Sequence, residues 1–167
     1  MADGSDEEYV DYVAARIPAL RRLAYLLVND PHRADDLVQQ TITTLYVKWR
    51  RARQADNLDA YVRTMLVRTF VDERRLAWTR VRLFRDMPEP LPAEEHGVED
   101  RQVVRSALSR VPRRQQAVLV LRFFYDLPVE EVAGMLGCSA GTVKSQTSRG
   151  LATLRRLLGE RQFANYS

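Results

Sequence analysis

The sequence has one cysteine, Cys138, and two histidines, His32 and His96, in 167 residues. A single thiol excludes an intramolecular disulfide and a cysteine-cluster zinc site, and neither histidine lies near a Cys or acidic cluster at metal-ligand spacing. No Gly-rich loop followed by Lys-Ser/Thr is present, and no nucleophile elbow. Asp35 and Asp36 are adjacent, so on a helix they diverge by about 100° and do not share a site; Glu130 and Glu131 suit the positive N-terminal end of a helix. No catalytic residue, metal or cofactor is therefore expected. No apolar run approaches the roughly 18 residues of a membrane span, and the acidic opening MADGSDEEYV lacks the basic-then-apolar order of a secretion signal. The expectation is a cytoplasmic protein with no membrane insertion.

Lysine is almost missing too: 24 of the 26 basic residues are arginine. That bias is spread along the whole chain, so the distribution of charge says more than its type. Residues 1–15 carry five acidic and no basic side chains, and residues 48–85 carry eleven basic and four acidic. Residues 86–100 carry six acidic and none basic, and residues 101–167 again hold eleven basic against four acidic. Two basic blocks separated by an acidic connector point to two modules that each approach a polyanion. A hydrophobic fraction of 46% without low-complexity tracts indicates a folded chain.

Helical periodicity runs through both blocks. Roughly 7–29 buries Tyr9, Val13, Ile17, Leu20, Ala24 and Leu27, and Asn29-Asp30-Pro31 breaks it. Roughly 32–50 buries Leu37, Val38, Thr41, Leu45 and Trp49; roughly 59–84 buries Val62, Met65, Leu66, Thr69 and Phe70, with arginines on its other side. Residues 86–98, DMPEPLPAEEHGV, hold three prolines and no helical period, which marks a linker; its acidic charge could fold back on the basic helices. Further helices are expected near 99–110, 112–125, 128–136 and 139–159, with Ala117, Val118, Leu121, Phe124 and Tyr125 forming the apolar face of the second of these. No strand pattern or repeat is seen. The fold expected is all-α, two small helical domains (1–85 and 99–167) joined by a flexible linker (86–98).

The most informative stretch is 127–150, LPVEEVAGMLGCSAGTVKSQTSRG. Val129, Val132, Ala133 and Leu136 make one apolar face; Gly137 stands where a left-handed residue ends a helix, and Ser139 where an N-cap begins the next. The second helix turns Val143, Leu151, Leu154 and Leu158 inward and leaves Thr142, Lys144, Ser145, Gln146, Ser148 and Arg149 outward. A helix–turn–helix of this kind lays its second helix in a DNA major groove. A purely structural hairpin shares the glycine turn but does not need the basic outer face.

In sum of motifs the chain resembles the sigma-70 family of bacterial transcription initiation factors, in its small extracytoplasmic-function (group IV) type, which keeps only region two and region four. The segments that carry the resemblance are ADDLVQQTITTLYVKW (34–49), AYVRTMLVRTFVDERRLAWTR (60–80) and, most specific, the GCSxGTVKSxxSRG core within 113–156. The resemblance implies an alternative sigma factor that is not an enzyme. It implies that Asp35, Asp36, Leu37, Gln39, Gln40 and Thr41 dock on the β′ clamp helices of core RNA polymerase, and that region four meets the β flap. It implies that the 50–58 loop captures a flipped −10 base, with Gln54, Asp56 and Asn57 as hydrogen-bonding groups. Arg63, Arg68, Arg74 and Arg75, with Tyr61 and Trp78 nearby, would hold melted single-stranded promoter DNA; Tyr61 fits the core equally well. Ser139, Thr142, Lys144, Ser145, Gln146, Ser148 and Arg149 would read the −35 element, and an anti-sigma factor is a further candidate partner. Gln146 stands where many relatives have Arg, which shifts readout towards adenine-type edges. The rival readings are an operator-binding regulator with a LuxR-like helix–turn–helix, whose N-terminal half would need a ligand pocket or dimer seam, and a polymerase-binding adaptor, which would not need the arginine-studded third helix.

Overall fold

Asp30 stops one helix and starts another. Its side chain accepts hydrogen bonds from the backbone N–H of His32 (2.9 Å) and Arg33 (3.2 Å), and Pro31 fills the first helical position, where no N–H is needed. Asn29 takes the left-handed conformation at φ 47° to end the preceding helix. The computed structural model describes residues 4–72 and 98–164. In chain order these form α1 (Gly4–Val28), α2 (Pro31–Val47), a single turn α3 (Trp49–Ala52), α4 (Leu58–Asp72), α5 (Val98–Ser109), α6 (Arg113–Leu119), a π turn (Val120–Phe124) that continues α6, α7 (Val129–Leu136) and α8 (Ala140–Ala164). No strand occurs among the described residues. The expected second helix was longer: it ends at Val47, because Lys48 leaves helical geometry (φ −98°, ψ 12°) before α3 begins. The expected linker lies outside the described residues except for Val98, which is already helical.

In the N-terminal half α1 and α2 pack on each other, and α4 packs on both. Tyr9 and Tyr12 set their rings against the buried Trp49 at 5.5 and 5.8 Å between centroids, and the Tyr9 hydroxyl donates to the Ile42 carbonyl (2.6 Å). The C-terminal helices contain a second, smaller cluster in which Ala107, Leu108, Val111, Leu119 and Leu157 are buried. The larger core is not confined to one half. It joins Leu20, Leu27, Leu37, Leu66, Val67 and Phe70 to Ala117, Val118, Val120, Leu121, Val132 and Val143. The sequence led us to expect two helical domains joined by a linker; the larger cluster draws apolar residues from both.

The π turn accounts for a shift in register. Periodicity placed Phe124 on the inner face, yet Phe123 and Phe124 are 56% and 50% exposed while Val120 and Leu121 are fully buried. Tyr125 N–H bonds to the Val120 carbonyl (3.2 Å), an i→i+5 step that inserts one extra residue. The insertion rotates both phenylalanines outward and brings Tyr125 inward, half-buried against the core.

The helix–turn–helix closes as its residues require. Gly137 is left-handed at φ 65°, and the N–H groups of Gly137 and Cys138 both reach the Ala133 carbonyl. Ser139 Oγ then accepts the Thr142 N–H (3.1 Å), the third residue of α8. Replacing Ser139 with alanine should cost about 1 kcal/mol of stability, read as a lower denaturant midpoint with unchanged slope. Gly150 is buried where α8 crosses α6: a Cβ there would lie 3.0 Å from Leu119 Cδ1 and 3.1 Å from its Cγ. Leu119 is itself buried, so Gly150→Val should destabilise by about 1–3 kcal/mol through overpacking, measured by the same titration.

Candidate nucleic-acid and polymerase interfaces

At 100° per residue, Lys144, Ser145, Ser148 and Arg149 fall on one side of α8, opposite Val143 and Gly150. All four are exposed, whereas Val143 is fully buried and Gly150 buried. Gln146 is half-buried at the flank of this face. The hydroxyls are largely spoken for within the helix. Thr142 Oγ1 bonds Ser139 Oγ (2.9 Å), and Ser145 Oγ donates to the Thr142 carbonyl (3.0 Å). The side chains able to reach beyond the helix are therefore Lys144, Gln146 and Arg149, with Ser139 and Ser148 beside them. Sequence reasoning missed Arg155 and Arg156. They are exposed and lie eleven residues after Lys144 and seven after Arg149, three and two turns on along the same face; carrying the helical period past Gly150 would have found them.

The arginines expected on the third helix sit differently. Arg63 is half-buried, with its guanidinium 5.0 Å from the centroid of the Tyr125 ring. Burial raises the Tyr125 phenol above its ordinary pKa, and the charges of Arg63 and Arg22 partly oppose that rise. Arg68 donates from Nε to the Met135 carbonyl (2.6 Å) and from Nη2 to the Gly134 carbonyl (3.1 Å). Arg63 is thus half-buried against the C-terminal half, whereas Arg68 stays exposed beside the end of α7. Arg74, Arg75 and Trp78 lie outside the described residues.

Gln54, Asp56 and Asn57 are exposed in the turn between α3 and α4. Asn57 Oδ1 accepts the Ala60 N–H (3.0 Å) and so caps α4, leaving its amide nitrogen as the group available to a ligand. An ion pair between Arg53 and Glu8 (2.6 Å) ties this turn to α1. Next to it opens a groove of about 940 Å³ whose walls include Gln40, Lys48, Asn57, Tyr61 and Arg68, closed on the far side by Glu131, Gly134 and Met135 of α7. Tyr61 is half-buried: it packs on the core and lines this groove, so both of its readings are partly met. At the base of α4, Asp59 bonds the Tyr12 hydroxyl (2.7 Å) and pairs with Arg16 (2.9 Å); burial and the Asp59 contact push the Tyr12 phenol well above its ordinary range.

On α2, Gln39 and Gln40 are exposed and Asp35 and Asp36 half-exposed. Asp35 is paired with Arg21 of α1 (2.9 Å). Leu37 and Thr41 do not belong to this surface. Both are fully buried, and Thr41 Oγ1 donates to the Leu37 carbonyl (2.7 Å). Four residues apart, they share the inner face of α2 with Leu45, so they hold the helix in place and cannot touch a partner.

Among the described residues no helix is long and apolar enough to cross a membrane, and no three His, Cys, Asp or Glu side chains are grouped to hold a metal ion. Residues 12–80 match the family described as Sigma-70 region 2, and residues 101–154 match Sigma-70, region 4. The chain is 37% identical to the RNA polymerase sigma-E factor of Streptomyces avermitilis, an alignment spanning 96% of this chain and 90% of that protein. It is 29% identical to the ECF RNA polymerase sigma factor EcfG of Rhodopseudomonas palustris, over 89% and 83%. A solved structure of the sigma factor RpoE from Bartonella quintana, in complex with the anti-sigma factor NepR, superposes with a TM-score of 0.67 at 26% identity, covering 92% of this chain and 98% of that one. The region 2 match over the N-terminal half leaves the operator-binding regulator unsupported. With both regions present in order, this chain belongs to the sigma-70 family of RNA polymerase sigma factors, in its extracytoplasmic-function group.

Proposed function

We propose that this chain is an alternative sigma factor that joins core RNA polymerase and directs initiation at promoters with −10 and −35 elements. The observation that carries the reading is the exposed Lys144–Arg149 stripe on a Ser139-capped helix, set behind a half of the chain that matches region 2. Duplex −35 DNA meets α8, whose Lys144, Arg149, Arg155 and Arg156 neutralise phosphates while Gln146 reads a base edge. Melted −10 DNA meets the α3–α4 turn, where the Asn57 amide and the groove beside Tyr61 offer a place for an extruded base. Polymerase docks through the Asp35, Asp36, Gln39 and Gln40 face of α2. The exposed Phe123–Phe124 pair offers the apolar contact that the β flap would need. The likeness to RpoE, solved with NepR bound, supports an anti-sigma factor as a partner of this chain too.

Run-off transcription with purified core polymerase on a promoter library tests the whole reading: no promoter-dependent transcript would refute it. Replacing Lys144 and Arg149 together by alanine should weaken duplex binding on all sequences and lower the salt slope by about two units, one per lost phosphate contact. An unchanged slope would move those contacts elsewhere. Reversing Asp35 and Asp36 to lysine should impair holoenzyme assembly, measured by fluorescence anisotropy. Because Asp35 also pairs with Arg21, a surface bridge worth at most about 1 kcal/mol, only a small loss of stability should accompany it.

A further inference from the structure

Glu8, Tyr12 and Arg16 follow one another at intervals of four along α1, so they stand one above the next on a single stripe of the helix. All three reach the same short segment. Glu8 pairs with Arg53 (2.6 Å), at the start of the α3–α4 turn. The Tyr12 ring lies 5.8 Å from that of Trp49, the first residue of α3, and its hydroxyl donates to Asp59 Oδ1 (2.7 Å) in the first turn of α4. Arg16 Nε contacts the same oxygen (2.9 Å), with its guanidinium 5.8 Å from the centroid of the Tyr12 ring. The charges are matched in order: acid faces base before the turn, and base faces acid after it. The turn has few backbone bonds of its own. Ala55 N–H reaches back to the Ala52 carbonyl (3.0 Å), and the ladder of α4 begins with Tyr61 N–H to the Asn57 carbonyl (3.0 Å). The stretch from Asp56 to Leu58 is therefore held at its ends.

Stability does not explain the stripe. The buried face of α1, with Val13, Leu20, Leu23 and Leu27, already anchors that helix in the core. The side chains of Glu8, Arg16, Arg53 and Asp59 are 41–49% exposed, and exposed pairs of this kind contribute little to folding. What they fix is the shape of the turn that carries Gln54, Asp56 and Asn57. We infer that Glu8, Tyr12 and Arg16 are positioning residues that hold this turn ready for an extruded −10 base. The inference rests on the base-capture reading proposed above. It adds that selectivity for that base depends on α1, a helix outside every proposed DNA contact. A turn ordered only at the moment of capture loses affinity for each residue that must then be fixed. Held from α1, the turn is ordered when the chain folds.

The test uses holoenzyme assembled from purified core polymerase and the full-length chain. Single-stranded −10 oligonucleotides from a promoter it transcribes, each abasic at one position, locate the captured base as the position where wild type loses most affinity. The quantity read is the ratio of affinities for the intact oligonucleotide and that abasic one, in which a general electrostatic effect of any variant cancels. Glu8→Arg, which sets two like charges together at Arg53, should lower the ratio about tenfold, the equivalent of ordering one loop residue. Tyr12→Phe keeps the ring on Trp49 but loses the bond to Asp59, and should lower the ratio in the same direction. Combining Glu8→Arg with Arg53→Glu rebuilds the pair with its charges exchanged, and should restore the ratio. Thermal midpoint and −35 duplex affinity should stay near their wild-type values throughout. An unchanged ratio in Glu8→Arg, or no recovery in the double variant, overturns the inference. So does a lowered ratio that comes with matching losses of thermal midpoint and duplex affinity, which would assign the stripe to general stability. Should no abasic position weaken wild-type binding, the base-capture reading itself falls, and the role given to the stripe falls with it.

Discussion

A backbone carbonyl at the end of a helix must find a donor or be left to water. In this chain that rule decides how the halves meet. The end of α1 is buried and that of α7 lies at the surface, and side chains from the other half cap both rather than the following turn alone. Gly137 supplies local capping for α7 by returning its own N–H and that of Cys138 to Ala133. That leaves the Gly134 and Met135 carbonyls, and Arg68 takes both with one planar group. The fork of a guanidinium suits two neighbouring carbonyls in a way a lysine point charge does not. The scarcity of lysine, uninformative along most of the chain, has a use at this position.

The balance between closed and separated halves is set by opposing terms of similar kind. Parting them uncovers Phe70, Val118 and Leu121, which at about 25 cal/mol per Å² favours the closed form. Against that stands the half-buried Arg63, whose guanidinium water or phosphate would serve as well as a ring face does. The interface is therefore neither a sealed domain core nor a loose contact.

Much of the fold was legible in the sequence, because helical periodicity, Pro31, Gly137 and Ser139 each act through their immediate neighbours. The starts of the helices in the region-four-like half were placed to within a residue, though the last runs to Ala164, five residues beyond the expected end, and the outward stripe of α8 followed from spacing alone. The failures were those of tertiary geometry. Leu37 and Thr41 carry the residue types of a motif, but their own spacing had already put them on the inner face. Arg63 and Arg68 look like ligands for phosphate from their charge, but their contacts with Tyr125 and with the end of α7 were not legible in the sequence. Gln116, whose amide donates to the Leu26 and Leu27 carbonyls, attracted no notice, since one amide on an amphipathic helix is ordinary until its acceptors are known. Phe124 was misplaced because a π turn breaks the 3.6-residue period on which the reading depended.

That π turn makes the interface sensitive to chain length at a single point. Val120–Phe124 holds one residue more than an α-helix would place there. Deleting any one of them and letting the ladder revert to i→i+4 would turn the preceding and following segments by about 100° relative to each other. Tyr125 would swing away from Arg63, and the α7 terminus would leave the reach of Arg68. Relatives that differ by a one-residue insertion or deletion at this place could thus share nearly every side chain and still differ in whether their halves rest together or apart.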